Sequence, residues 1–194
     1  MARLPYLPAS LDEPRDIVDE VRARRGGSLN RIDRLLLYSP QFASAWNAYA
    51  RTIRTRLSLP PLLRELAIVA VSALMGTEHE INVHGPHFLT AGGSQEQLDA
   101  LRDVDGAAAN GDLFDETERA ALAVCLEMTR AIQVEDATFA KLLAALGSPQ
   151  NVLELIGVVA TYNMTNRVLI ALDFEPESKV APSTSPVSGP NDRK

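Results

Sequence analysis

The sequence predicts an all-α protein, on three observations. Apolar residues recur at spacings of three and four along most of the chain. No segment sustains the period-two alternation of a half-buried strand. The strongest boundary signals are those of helices, with Ser, Thr or Asp ahead of a periodic run and Gly behind it. At 194 residues, with 46% hydrophobic and 23% charged side chains, the chain suits one well-buried domain and is short for two. No repeat of fixed period is present, and about eight or nine helices are expected.

In chain order, Ser10 with Glu13 has the pattern of a capping box ahead of a helix from about Pro14 to Arg25, which Gly26 and Gly27 end. The segment Asn30 to Tyr38, with three leucines in a row, should press a turn or two of helix on the core. Ser39 and Pro40 then start a longer helix, in which Phe42, Trp46, Tyr49, Ile53 and Leu57 should form a buried stripe. Pro60 and Pro61 open the next helix, Leu62 to Met75, which is apolar nearly all round and is therefore expected at the centre of the fold. Gly76 suits a left-handed closing position, and Thr77 caps a helix that runs to about Ala91, where Gly92 and Gly93 stop it. Ser94 with Gln97 begins another helix, to about Val104, and the following DGAAANGD reads as a loop. Asp115 with Glu118 caps the helix that holds Cys125, and further helices are expected at about Glu135 to Leu146 and Asn151 to Leu172. The domain is thus placed at 1–174, and the proline- and serine-rich residues 175–194 read as a disordered tail.

Composition excludes several classes of function. A formal net charge of -6, with no basic cluster beyond the run Arg22 to Arg25, argues against a nucleic-acid partner. Cys125 is the single cysteine, so neither an internal disulfide nor a cysteine-based metal site is expected, and a reducing cytoplasm is the expected compartment. No stretch reaches the roughly 18 uninterrupted apolar residues of a membrane span, and the N-terminus has no apolar core of a signal peptide.

Chemistry is concentrated at one helix-to-helix junction. His79, His84 and His87 are all the histidines of the chain, Glu78 and Glu80 lie among them, and the preceding apolar helix carries Glu65. On a helix, Glu80 and His84 share a face and His87 falls on the same stripe, whereas His79 is rotated by about 100°. Each residue has a structural and a chemical reading. Glu80 completes a capping box with Thr77, or acts as an acid–base group beside His84. His84 is a satisfied core histidine, or a proton carrier whose tautomer a carboxylate fixes. Glu65 pairs with an arginine, or carries a proton near neutrality because desolvation raises its pKa. A metal held by Glu65, Glu80, His84 and His87 is a weaker reading, since Pro86 distorts their spacing and no H-x-x-x-H pair is present. Arg167, four residues after Asn163, can bind a substrate carboxylate or sit in a surface ion pair. His87 is expected to be exposed or to lie behind the site.

The block RELAIVAVSALMGTEHEINVH with the AGG that follows, SPQFASAW before it and TYNMTNRVLIAL near the end resemble the carboxymuconolactone decarboxylase family. The wider superfamily of that family includes the alkylhydroperoxidase D-like proteins. The resemblance implies an all-helical fold built around a central helical hairpin and a homo-oligomer, a trimer or hexamer. In the peroxidase branch a glutamate is followed by a C-x-x-C pair and then a histidine. Here Glu65 matches the glutamate and His84 the histidine, but Thr77 and Glu80 replace the two cysteines, with His79 between them. Without a thiolate and a resolving thiol, thiol-based peroxide reduction is not expected. The resemblance instead implies cofactor-free and metal-free acid–base chemistry on a small carboxylate or lactone, such as a decarboxylation or a related lyase or isomerase step. Glu65, Glu80 and His84 are its candidate catalytic groups, and Thr77, His79 and Arg167 are the candidates for contacting substrate. The alternatives are an antioxidant-type member of the fold and a non-catalytic oligomeric binding protein.

Overall fold

The computed structural model describes residues 2–176 and is all-α over them. Helices α1 (Arg15–Arg24), α2 (Arg31–Leu36) and α3 (Pro40–Thr55) form an N-terminal layer. The central hairpin is α4 (Pro61–Leu74) and α5 (Glu78–Thr90). Two short helices, α6 (Gln95–Ala100) and α7 (Val104–Ala109), lead to α8 (Glu116–Arg130), α9 (Asp136–Leu146) and α10 (Pro149–Ala171).

The expectation for α4 holds: every residue from Glu65 to Ser72 is buried, because α5, α8 and α10 all pack on it. A helix that is apolar all round can satisfy itself only by such enclosure. The main core joins α4 to Phe88, Leu122, Leu155 and Val158, while Val18, Val21, Leu36 and Ala43 form a smaller core of the N-terminal layer. The hairpin turn is a Schellman motif. Gly76 is left-handed at φ 69°, its N–H bonds the Ala73 carbonyl at 3.1 Å, and the Thr77 N–H bonds the Ser72 carbonyl at 2.9 Å. The far end of α5 closes the same way, and there a Cβ on Gly93 would stand 2.3 Å from the Phe88 ring, so only glycine fits.

Four expectations about local structure are corrected. DGAAANGD is not wholly loop, since Asp103 caps α7 through the Gly106 N–H and three alanines extend the helix. Ser10 does not cap α1, which follows Pro14, and Glu13 instead accepts from the Arg15 N–H at 3.1 Å. The stripe on α3 is displaced: Phe42 and Tyr49 are 48% and 45% exposed, and the inward face carries Ala43, Asn47 and Ile53. Tyr49 lies over α10, where its hydroxyl meets Thr161 Oγ1 at 2.9 Å. Thr77 makes no side-chain cap bond on α5, so the capping-box reading of Glu80 fails. By contrast, the boxes Ser94/Gln97 and Asp115/Glu118 form on both sides as expected. The tail proposed over 175–194 lies outside the described residues from 177 onward. The carbonyls of Glu175 and Pro176 are held by Arg31.

Candidate active site

The hairpin brings Glu65 of α4 against His84 of α5, and α10 closes the third side with Tyr162. His84 is 1% exposed. Its Nδ1 lies 2.7 Å from Glu65 Oε2 and its Nε2 3.0 Å from the Tyr162 hydroxyl. Glu80, one turn before His84, places Oε2 3.6 Å from the same Nε2 and Oε1 4.0 Å from His79 Nε2. Behind the pair, Arg64 Nε donates to Glu65 Oε1 at 3.1 Å. One carboxylate thus meets both Arg64, as the arginine reading of Glu65 expects, and His84.

Protonation follows from these contacts. Burial raises the pKa of Glu65, but the hydrogen bonds from His84 and Arg64 outweigh it and hold the carboxyl below its ordinary value. The expected upward shift of Glu65 is thus reversed, because desolvation is met by two donors. An ionised carboxylate can only accept, so Nδ1 of His84 carries the proton it shares with Glu65. Burial also pushes the His84 pKa down, against the opposing pull of Glu65, which keeps the ring neutral and leaves Nε2 as an acceptor. Tyr162 supplies the donor, for burial raises its pKa and keeps the phenol protonated. The upward shift expected of Glu65 falls on Glu80. Burial pushes this carboxyl up to about 7, although Arg54 and Arg25 pull it the other way.

Glu80, His84 and Tyr162 line a cavity of about 330 Å³, within the range of small-molecule sites. Arg24 and Arg25 from the end of α1, Trp46 and Arg54 from α3, and Thr161 form other parts of its wall. His79 belongs to the wall too, and also to that of a larger groove of about 830 Å³ that contains Thr77, Glu78, Asn82 and Phe174. The His79 ring packs on Phe174 with centroids 5.0 Å apart. Glu65 stands behind His84, outside the lining.

Two expected substrate contacts are not brought to this cavity. Thr77 lines only the larger groove, and its Oγ1, shielded from solvent, bonds nothing among the described residues. Arg167 is on the exposed side of α10, tied to Asn163 Oδ1 at 2.6 Å. His87 is exposed as expected, its ring 5.8 Å from that of His84. Among the described residues, no group of three His, Cys, Asp or Glu side chains is arranged to hold a metal.

Sequence reasoning missed Tyr162 and the arginines of α1 and α3. A signal for Tyr162 exists: it lies on the apolar face of α10 with Leu155, Val158, Val159 and Leu169, and a phenol buried there needs a partner. For Arg54 no local signal exists, because Glu80, His84 and Tyr162, which share its cavity, lie on α5 and α10.

Comparison with known proteins agrees with this architecture. Residues 40–127 match the carboxymuconolactone decarboxylase family. No curated protein matches the chain. Among solved structures, an uncharacterized peroxidase-related protein from Silicibacter sp. TM1040 superposes with a TM-score of 0.73 at 20% identity, over 91% of this chain and 92% of that one. A peroxidase-related protein from Ralstonia eutropha JMP134, described as an alkylhydroperoxidase AhpD core, gives 0.70 at 20% identity over the same shares. The debrominase Bmp8, as a cysteine-to-alanine variant in complex with 2,3,4-tribromopyrrole, gives 0.74 at 17% identity, over 92% and 95%. These likenesses show the fold. Over residues 40–127 the chain is thus similar to the carboxymuconolactone decarboxylase family, and with Cys125 as its single cysteine it has no C-x-x-C pair.

Proposed function

We propose that this protein is an enzyme performing cofactor-independent acid–base chemistry, a decarboxylation or a related lyase or isomerase step, on a small carboxylate or lactone. The observation that carries the reading is the chain Glu65–His84–Tyr162, with Glu80 beside the same imidazole nitrogen and a cavity adjoining them. Glu65 fixes the tautomer of His84, Tyr162 donates to Nε2, and Glu80 holds a proton that is half-titrated near neutrality. An acid–base group works best when its pKa is close to the working pH.

In a decarboxylation, the bond between the carboxylate carbon and its neighbour breaks, and its electron pair stays on the substrate as an enolate while CO2 leaves. Glu80 delivers its proton to the carbon that keeps the electron pair, and the Glu80 carboxylate is reprotonated from water, while the Tyr162 O–H stays on His84 Nε2. In an isomerisation the Glu80 carboxylate removes the proton first and returns it at another carbon. The test is proton NMR in D2O with a panel of small β-keto acids and carboxylated lactones. Deuterium incorporation or CO2 release, unchanged by a chelator, is expected. A panel that stays inert, or activity that the chelator removes, overturns the reading.

The similar structures lend a second reading at least as much support, since two of them are described as peroxidase-related proteins. A protein of that group without the thiol pair, or an oligomeric binding protein, would keep the fold without proton transfer. Thiol-based peroxide reduction itself is not expected. Cys125 is fully buried in the core and burial pushes its thiol up to about 12, so the reactive thiolate is not formed at neutral pH. Steady-state peroxide turnover with a dithiol, lost in Cys125→Ser, would contradict this.

We carry the homo-oligomer into the same proposal, as a trimer or hexamer. Phe42 on α3 and Leu153 and Ile170 on α10 are exposed apolar side chains that a second copy would cover. Light scattering should give a multiple of 21.1 kDa, and a monomer mass across a wide concentration range would refute it.

A further inference from the structure

The cavity beside His84 has one cation that the acid–base reading leaves unused. Arg54, partly buried on α3, lines the cavity, and among the described residues no hydrogen bond or ion pair engages its guanidinium. Its neighbours in the wall are differently placed. Arg25 makes a two-point contact with Asp33, with Nε 3.0 Å from Oδ2 and Nη2 3.2 Å from Oδ1. Arg24 reaches the same carboxylate at 3.4 Å and also donates to Asn47. Asp33 is further engaged by the Asn30 N–H at 3.2 Å, so one fully committed carboxylate faces two arginines and Arg54 has none.

A guanidinium taken partly out of water without a partner is costly, unless a ligand supplies the missing acceptor. The positive field of Arg54 reaches Glu80, His84 and Tyr162, and each of these pKa values is held lower by it. The arginine therefore stands in the same electrostatic space as the proton-transfer groups. Its planar fork matches a carboxylate through two parallel N–H···O bonds. The remaining wall includes apolar side chains in Trp46, Ala50 and Ile53, beside the polar Asn30 and Thr165.

We propose that Arg54 is the carboxylate-binding residue of this cavity, with Arg24 and Arg25 as the flanking positive wall and Trp46 beside the body of the ligand. The inference rests on the acid–base reading only for what happens after binding. It assigns the ligand class as a small, largely apolar monocarboxylate, and it moves the carboxylate contact from Arg167, on the outer side of α10, to α3. Arg54 anchors the anion while Glu80 and Tyr162 meet the rest of the molecule.

The probe is built in, because Trp46 is the only tryptophan of the chain. Benzoate titrated into the full-length protein should change Trp46 fluorescence saturably, and benzamide, the same shape without the charge, should bind at least about tenfold more weakly. Arg54→Gln should weaken benzoate by about tenfold or more, while Arg54→Lys, which keeps the charge and loses the fork, should fall between it and the parent. Arg167→Gln should leave benzoate binding unchanged. The inference is overturned if benzoate gives no saturable signal, if benzamide matches it, if inorganic phosphate binds more tightly than benzoate, or if Arg54→Gln and Arg54→Lys both bind as the parent does. The two proposals separate cleanly. Arg54-dependent benzoate binding with an inert D2O panel removes the acid–base reading and keeps the anion site, and turnover with an unchanged KM in Arg54→Gln does the reverse.

Discussion

Replacing His84 by glutamine lowers turnover in the D2O assay by on the order of a hundredfold or more, and Glu80→Gln does the same. The double variant is expected to be little worse than either single one. Nε2 of His84 lies 3.6 Å from Glu80 Oε2 and accepts from the Tyr162 hydroxyl at 3.0 Å, so the three side chains adjoin one another and loss of any member disables the set. Glu65→Gln tests the rear of the chain. An amide can present its N–H to Nδ1, which turns the imidazole to the other tautomer and puts its proton on Nε2, where Tyr162 needs an acceptor. The loss should therefore appear in kcat with little change in KM. Additive losses in the double variant, or full activity in His84→Gln, would make this histidine a core residue and nothing more.

Glu80→Gln should also change how stability depends on pH, by an amount readable in denaturant unfolding. Burial raises the Glu80 pKa from an ordinary 4.5 to about 7 in the folded protein. A carboxyl with a raised folded value stabilises the fold fully below its unfolded pKa, and this contribution is lost as pH rises through the folded value. Over the window from about pH 4.5 to just above 7, the native state of the parent loses on the order of 3 kcal/mol relative to the glutamine variant, whose side chain does not titrate. His84 acts in the opposite sense. Its lowered pKa gives stability present above about 6.5, which is lost as pH falls through the folded value. The net curve of the parent thus hides both effects, and the difference between parent and Glu80→Gln isolates the first. A difference that does not vary between pH 4.5 and 8 would place Glu80 in contact with water and remove it from the proton set.

The glutamate–histidine pair was legible because the sequence carries it at family spacing, and because Glu65 sits in a run that is otherwise apolar. Its charge state was not. Burial and hydrogen bonding push a carboxyl in opposite directions, and only the positions of Arg64 and His84 decide that Glu65 goes down while Glu80 goes up. The reading of Thr77 and Glu80 as a capping box failed for a related reason. The same four residues permit a cap or a turn of helix whose glutamate points at His84, and the packing of α5 on α4 selects the second.

The sequence by itself determined the all-α class, the burial of α4, the glycine turns at Gly76 and Gly92, and the absence of a thiol pair. Each of these depends on residues within about one helix of one another, where periodicity, capping and backbone conformation are local properties. The tertiary structure alone decided that Tyr162 completes the imidazole's hydrogen bonds, that the inward face of α3 is Ala43, Asn47 and Ile53, and that Arg54, not Arg167, faces the cavity. Those are contacts between helices far apart in the chain. The rotation of a helix about its own axis is fixed by what packs on it, and a shift of one residue turns its face by about 100°.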